Sequence, residues 1–143
     1  MPLAWLLICI LAQAGLHFYL PLAQLLASPF HRTGIVPLLA GFVIMVSAAG
    51  AFKRQDTPLI PFETSTALVT SGPFKFTRNP MYLGMVLILT GIAMLFGSMA
   101  PILIVVVFFL IIRTQYVIPE ENMMVELFGD EYKQYCSRVR RWI

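Results

Sequence analysis

The sequence predicts an all-α integral membrane protein with about four transmembrane helices, a re-entrant or interfacial cytoplasmic segment and a short C-terminal amphipathic helix. Hydrophobic residues make up 59% of its 143 residues and charged residues only 12%, whereas roughly 25% are charged in soluble domains. A helix that crosses the bilayer core needs about 20 apolar residues. The apolar runs near that length are Leu3–Ala27, Gly34–Phe52, Met81–Gly97 and Met99–Ile118. Because they leave only short connections, we expect a single membrane domain over residues 1–143.

The first apolar run reads as a retained span and not as a secretory signal. Ala12-Gln13-Ala14 resembles a cleavage site, but no basic residue precedes it and the apolar pattern continues beyond it. Gln13 and His17 are four residues apart and so share one helical face. Polar side chains at this depth either carry function or hydrogen-bond neighbouring helices. We favour the second role, because residues 1–56 supply no acidic partner within their two spans.

The second run is followed by residues 53–80, the longest stretch between spans. Several prolines interrupt regular helix there, and Pro80 restricts Asn79 to extended geometry. Hydroxyl-bearing residues flank the apolar patch 67–69, and the low charge of the segment argues against disorder. We expect an ordered lid at the membrane surface, since irregular backbone near lipid persists only against protein or a wet cavity.

The third and fourth runs are predicted to form an antiparallel hairpin. A short turn at residues 97–98 joins them, and Gly84 and Gly91 give the third span a small face for close helix packing. The outer ends of the hairpin return to one membrane face. Residues 78–82 and the Glu120-Glu121 pair are therefore expected to meet there.

Arg113 lies within the fourth run, seven residues before Glu120 and so on nearly the same face of a regular helix. An arginine at membrane depth is costly unless it is paired or lines a wet cavity, which leaves substrate contact and a structural ion pair both open. Pro119 interrupts the helix and restarts it with Glu120 and Glu121 in the first turn, where the helix dipole stabilises acidic groups.

Basic residues set the expected orientation. They cluster between the second and third runs and after the fourth, at Lys53, Arg54, Lys75, Arg78, Lys133, Arg138, Arg140 and Arg141. The positive-inside rule places these regions and both termini in the cytoplasm, for a multi-pass protein of the plasma (inner) membrane. The net charge of +3 is explained by topology and anionic headgroups and does not indicate nucleic-acid binding.

The C-terminal region predicts an interfacial helix. Phe128-Gly129 is typical of a helix C-cap, and Tyr132 and Tyr135 are three residues apart on the short helix that follows. We expect the basic residues of this tail, Arg141 included, to face headgroups. Cys9 and Cys136 are too few for a disulfide framework, and no metal site is predicted.

Four polar motifs stand in register over residues 57–139. They are Leu68-Val69-Thr70-Ser71-Gly72-Pro73-Phe74, Arg78-Asn79-Pro80-x-Tyr82-x-Gly84, Glu120-Glu121, and Phe128-Gly129-x-x-Tyr132-x-x-Tyr135. Their order and spacing resemble those of the isoprenylcysteine carboxyl methyltransferase-like family of integral-membrane methyltransferases, in its prokaryotic branch. One such motif alone is weak evidence for the family, but four in register over one hairpin are specific evidence.

The resemblance implies a methyltransferase that uses S-adenosylmethionine, with residues 57–143 as the cofactor-binding catalytic part and the cofactor in a cytoplasm-facing pocket. It implies that the cofactor-binding residues are Thr66, Ala67, Leu68, Val69, Phe74, Arg78, Asn79, Pro80, Met81, Tyr82, Glu120 and Tyr132. The soluble type of methyltransferase is excluded, because the chain has no glycine-rich loop between a strand and a helix.

Three positions depart from the family pattern. Asn79 replaces a histidine, so a neutral amide stands where a titrating group is usual. Tyr116 takes the place of the substrate-binding arginine of the prenylcysteine enzymes, with Arg113 one turn earlier. Arg140 replaces a proline. The resemblance therefore does not identify the methyl acceptor.

Two acceptor chemistries follow from these residues. An anionic acceptor, such as the carboxylate of an isoprenylcysteine-like compound, needs no general base and would be positioned by Arg113 through a charge-assisted contact. A phospholipid amine such as phosphatidylethanolamine needs deprotonation, for which Glu121 is the nearby candidate. Arg113 and Glu121 are thus the predicted catalytic residues.

The expected partners are the lipid bilayer and a lipophilic acceptor, without nucleic acid. A membrane reductase that uses a nicotinamide cofactor is a further alternative, although such enzymes have additional spans. A non-enzymatic four-helix scaffold also remains, but it does not explain why Asn79, Tyr82 and Glu120 should share one membrane face.

Overall fold

The computed structural model describes residues 1–20, 22–54 and 68–143, and in these residues helices and turns account for the regular structure apart from one isolated β-bridge. The predicted all-α fold class is confirmed. The helices are α1 (Pro2–Tyr19), α2 (Ile35–Lys53), α3 (Pro80–Phe96), α4 (Met99–Ile112) and α5 (Ile118–Arg138). Two 3-10 turns, Phe30–Gly34 and Gly72–Lys75, precede α2 and α3, and a π-helical turn, Arg113–Val117, joins α4 to α5.

Within the described residues, three helical stretches are long and apolar enough to cross a membrane: Pro2–Tyr19, Phe30–Lys53 and Met99–Arg138. Helix α3 is apolar but shorter, with 17 residues. Large apolar side chains cover the outward faces of α1, α2 and α4, and most of those faces are exposed. Only a lipid environment makes such a surface favourable, so the chain is an integral membrane protein.

Helices α2 and α3 pack through two pairs of glycines. A Cβ atom on Gly41 would lie 2.5 Å from the carbonyl oxygen of Gly84, and one on Gly34 would lie 2.5 Å from that of Gly91. No side chain fits at such distances, so the two backbones touch because all four positions are glycine. The small face predicted for α3 thus packs against α2.

Helix α1 packs against α3 and α4. Gln13 is fully buried, and its amide nitrogen donates to the carbonyl oxygens of Leu89 (3.1 Å) and Pro101 (3.0 Å). His17 shares a 2.9 Å hydrogen bond with the Ser98 hydroxyl. Both polar residues therefore bind neighbouring helices, as the sequence predicted.

The helix that begins with α4 is interrupted first at the π-helical turn and the adjacent Pro119, and again at Gly129. In the π-helical turn the amides bond five residues back, which absorbs about one extra residue. Pro119 follows this turn, and its missing N–H removes a bond that a regular helix would make. Gly129 then breaks α5 with φ 51° and ψ −119°, in agreement with the cap predicted at Phe128-Gly129.

The second half of α5 turns back toward the first. Arg141 contacts Glu121, 20 residues earlier, whereas 20 residues of straight helix would separate them by about 30 Å. Residues 130–138 must therefore return from the bend at Gly129. This return brings the C-terminal residues to the start of α3.

Candidate functional site

The site is centred on a contact between the first turns of α3 and α5. The Tyr82 hydroxyl donates to Oε1 of Glu120 at 2.5 Å, although the two residues are 38 positions apart. Tyr82 is buried, and its ring lies 6.3 Å from that of Tyr116. The hairpin of α3 and α4 thus brings the two polar groups together.

Glu120 is half-buried and makes no ion pair with any residue in the described parts of the chain. Among the described residues, its polar partner is the phenol of Tyr82. A carboxylate removed from water without a cation is costly. The unpaired carboxylate would therefore favour binding of a positively charged group at this site.

Its neighbour Glu121 is fully engaged. The Arg141 guanidinium donates from Nη2 (2.6 Å) and Nε (3.0 Å) to Oε2 and from Nε to Oε1 (3.2 Å), and Arg78 Nη2 lies 3.5 Å from Oε1. The hydrogen bonds that Arg141 donates to Glu121 raise the pKa of Arg141. The catalytic role of Glu121 stays a prediction, and a carboxylate held by two guanidinium groups is poorly suited to act as a general base.

Arg78 is buried except for 15% of its side chain. Besides its contact with Glu121, its Nη1 donates to the sulfur of Cys136. Its Nε is buried and has no hydrogen-bond partner within the described residues. An unsatisfied buried N–H of a charged group calls for an acceptor.

Asn79 is buried, and its side-chain amide donates to the carbonyl oxygen of Arg141 at 3.1 Å. Its backbone N–H donates to the hydroxyl of Thr77 at 3.2 Å. This residue therefore ties the C-terminal segment to the start of α3. Pro80 is fully buried beside it, as the first residue of that helix.

An apolar wall flanks these polar groups. Val69 and Phe74 pack against Ala48 and Ala51 of α2, with Met81 at the edge of the cluster. The Phe74 carbonyl accepts a 2.7 Å hydrogen bond from Tyr135, which fixes the wall to the returning half of α5.

Leu68 and Tyr132 continue the wall. Tyr132 is buried, with its ring 6.1 Å from that of Tyr135, and Leu68 packs against this pair. Thr66 and Ala67, predicted to line the cofactor, lie outside the described residues, as do residues 55–65 of the predicted lid.

Arg113 does not lie with this group. It is exposed and forms no ion pair in the described ranges. The prediction that it shares a face with Glu120 is wrong, because the π-helical turn adds about one residue between them and separates the two side chains by about a third of a turn. The catalytic role of Arg113 stays a prediction.

Arg141 is the functional candidate that sequence reasoning missed. It was expected among the headgroup-facing basic residues, yet it points inward to Glu121. Nothing in the local pattern separates it from the exposed Arg138 and Arg140. The inward placement follows from the bend at Gly129, which carries the tail back to α3.

Comparison with known proteins identifies the family. The sequence model of the phospholipid methyltransferase family matches residues 30–131, which contain α2, α3, α4 and most of α5. No solved structure matches the chain significantly.

Three similar proteins add detail. An uncharacterized protein from Haemophilus influenzae is 38% identical over 63 residues, which is 44% of this chain and all of that protein. Protein-S-isoprenylcysteine O-methyltransferase from Schizosaccharomyces pombe is 33% identical over 72 residues, 50% of this chain and 30% of that enzyme. Methanethiol S-methyltransferase 1 from Bradyrhizobium diazoefficiens is 36% identical over 72 residues, 46% of this chain and 22% of that enzyme.

The chain therefore spans less than a third of the length of the two named enzymes. Their names specify an oxygen acceptor in one case and a sulfur acceptor in the other. The similarity extends to methyltransferases with chemically different acceptors.

Proposed function

Because the chain belongs to the phospholipid methyltransferase family, whose model matches residues 30–131, we propose that it is an S-adenosylmethionine-dependent methyltransferase acting on a lipophilic acceptor. Membership confirms the resemblance to isoprenylcysteine carboxyl methyltransferase-like proteins that the four motifs indicated. The observation that carries the proposal is Glu120, a partly buried carboxylate bonded to Tyr82 and without a cationic partner among the described residues.

The residues present fit the proposed cofactor. S-adenosylmethionine carries a sulfonium and an ammonium group as well as a carboxylate. Glu120 offers the complement to the cationic part, and the unsatisfied Nε of Arg78 offers a donor for the anionic part. Bound there, the cofactor would supply an electrophilic methyl group.

The protein's own contribution is alignment and exclusion of water. Tyr82 fixes the rotamer of Glu120 through its short hydrogen bond, and the buried side chains of Val69, Phe74 and Tyr132 keep water from one side of the site. Holding two reactants in a reactive geometry can lower the activation free energy by about 7–11 kcal/mol.

The acceptor that suits this site best is already anionic. With Glu121 engaged by two arginines, Glu120 is the carboxylate of the described site left to deprotonate an acceptor, and the cofactor would already require it as counter-charge. A carboxylate like that of an isoprenylcysteine compound needs no such base, and neither does a thiolate. The oxygen acceptor named for one of the two enzyme relatives supports this class.

A phospholipid amine is the second candidate, favoured by the description of the matching family. An ammonium headgroup must lose a proton before it can attack a methyl group. Glu120 would have to serve both as that base and as the cofactor's counter-charge, which is why we rank this acceptor below an anionic one.

Cofactor binding is testable with the purified protein. At 100 times its Kd, S-adenosylmethionine should stabilise the folded state by about 2.7 kcal/mol, seen as a rise in unfolding temperature in detergent or nanodiscs. No rise at millimolar concentration would contradict the proposal and favour a scaffold. A rise with NADPH alone would favour a reductase.

The acceptor is identified by transfer of a radiolabelled methyl group in the same preparation. Total membrane lipids, an isoprenylcysteine analogue, a small thiol and phosphatidylethanolamine are offered separately. Label in the carboxylate supports the anionic class, whereas label confined to the thiol contradicts it and label confined to phosphatidylethanolamine supports the amine alternative.

A further inference from the structure

After α5 the chain forms a strap, Val139–Trp142, which crosses the starts of α3 and α5. Its first residue is extended, with φ −123° and ψ 129°. Its backbone carbonyls are bound by the turn before α3. The bonds join Arg78 N to Arg140 O (3.0 Å), Asn79 Nδ2 to Arg141 O (3.1 Å) and Thr77 Oγ1 to Arg141 O (3.1 Å).

The side chains of the strap reach two further helices. Arg141 binds Glu121 in the first turn of α5 through both Nε and Nη2, and Trp142 lies with its ring 5.0 Å from that of Phe109 on α4. The Glu121 side chain is only 11% exposed and that of Arg141 37%, so their contact is shielded from water more than a surface pair. One short segment thus connects α3, α4 and α5.

This connection lies next to the least regular part of the helix. The π-helical turn Arg113–Val117 ends one residue before α5 begins. If that turn relaxed to α-helix, every following residue would rotate by about 100°. Glu120 would then no longer face Tyr82, and Glu121 would lose its contact with Arg141.

We propose that Arg141 is a positioning residue: by holding Glu121, it fixes the rotation of α5 in which Glu120 meets Tyr82. The inference rests on the proposed function, because it gives Arg141 an indirect role in cofactor binding. In this role Arg141 does not contact the cofactor itself. It also gives the two adjacent glutamates separate tasks, with Glu120 facing the ligand and Glu121 anchoring the helix that carries it.

The test compares Arg141→Gln with the matched control Arg140→Gln, which removes the same charge from an exposed side chain. The readout is the Kd for S-adenosylmethionine by calorimetry in nanodiscs. We expect Kd to rise about tenfold in Arg141→Gln, because Glu121 loses the contact that fixes the rotation of α5. The rise is limited to about this size because the lost charge pair is partly exposed, and such pairs contribute less than buried ones. Arg140→Gln should stay within about twofold. Equal affinities in the two variants would overturn the proposal.

A double-mutant cycle separates positioning from general stabilisation. Tyr82→Phe removes the group that Glu120 meets, so Arg141→Gln should cost clearly less in that background than in the wild type. Fully additive losses would mean that Arg141 acts elsewhere, and would also overturn the proposal.

If Arg141→Gln does not fold, Arg141→Lys takes its place. Lysine keeps the charge but loses the two-pronged contact, so we expect a several-fold weaker Kd, and an unchanged Kd would contradict the proposal. Failure of the proposed function is distinguishable, because the wild type itself would then not bind S-adenosylmethionine.

Discussion

Two adjacent carboxylates with different surroundings define the site at the scale of single residues. Glu120 and Glu121 are about 100° apart on the helix, so one turns to Tyr82 and the other to Arg141. Because Glu121 engages both nearby guanidinium groups, Glu120 is left without a cationic partner among the described residues. The division of roles depends on direction and not on residue type.

The charge of Glu120 should matter for cofactor binding. Glu120→Gln keeps the acceptor oxygen for Tyr82 but removes the counter-charge, a loss of about 2–5 kcal/mol in shielded charge pairs. We expect Kd for S-adenosylmethionine, measured by calorimetry, to rise more than about tenfold. Glu126→Gln, a substitution of an exposed glutamate in the same helix, is the control and should leave Kd unchanged. Equal affinity in Glu120→Gln and wild type would remove Glu120 from the site.

Helix packing and helix irregularities decide the geometry at the scale of elements. The glycine pairs bring α2 against α3 and so present Ala48 and Ala51 to Phe74. The π-helical turn and the bend at Gly129 then direct α5 and the strap toward the start of α3. Each element contributes one wall of the site.

The close contact of α2 and α3 predicts an asymmetric response to alanine. In Gly41→Ala the new methyl group would meet backbone atoms of α3 at 2.5–2.9 Å, so the helices must separate, at a cost of about 1–3 kcal/mol. Gly15→Ala is the control, because nothing lies within 4 Å of its Cβ position. Thermal unfolding in detergent should show a lower midpoint for Gly41→Ala alone. An unchanged midpoint would mean that the helices are not in backbone contact.

Orientation in the membrane belongs to the scale of the whole molecule. Basic residues precede α3 and follow α4, while the loop between α1 and α2 carries only Arg32 and His31. From the positive-inside rule we propose that the site and both termini face the cytoplasm.

Cysteine labelling tests this orientation. In a background with Cys9 and Cys136 replaced by serine, we expect Ser28→Cys to react with a membrane-impermeant maleimide in intact cells. Ser137→Cys should react only after the membrane is opened. Both positions are exposed, so accessibility in the folded protein does not differ between them. The reverse labelling pattern would contradict the predicted topology.

Composition and motif order by themselves determined the all-α membrane fold, the helical hairpin, the cap at Gly129 and the family. These features depend on hydrophobic run length and on local backbone preference, which neighbouring residues encode. Even the meeting of Tyr82 and Glu120 was predictable, because a hairpin must return its ends to one face.

The tertiary structure alone decided which charges pair. Arg113 and Glu120 lie on different faces because the π-helical turn between them shifts the phase of the helix without a clear sequence signal. Glu121 and Arg141 became partners because the chain returns after Gly129 and brings residues 20 positions apart within hydrogen-bond distance. Ion pairs of this kind depend on where two helices end in space, which cannot be predicted from the spacing of residues in the sequence.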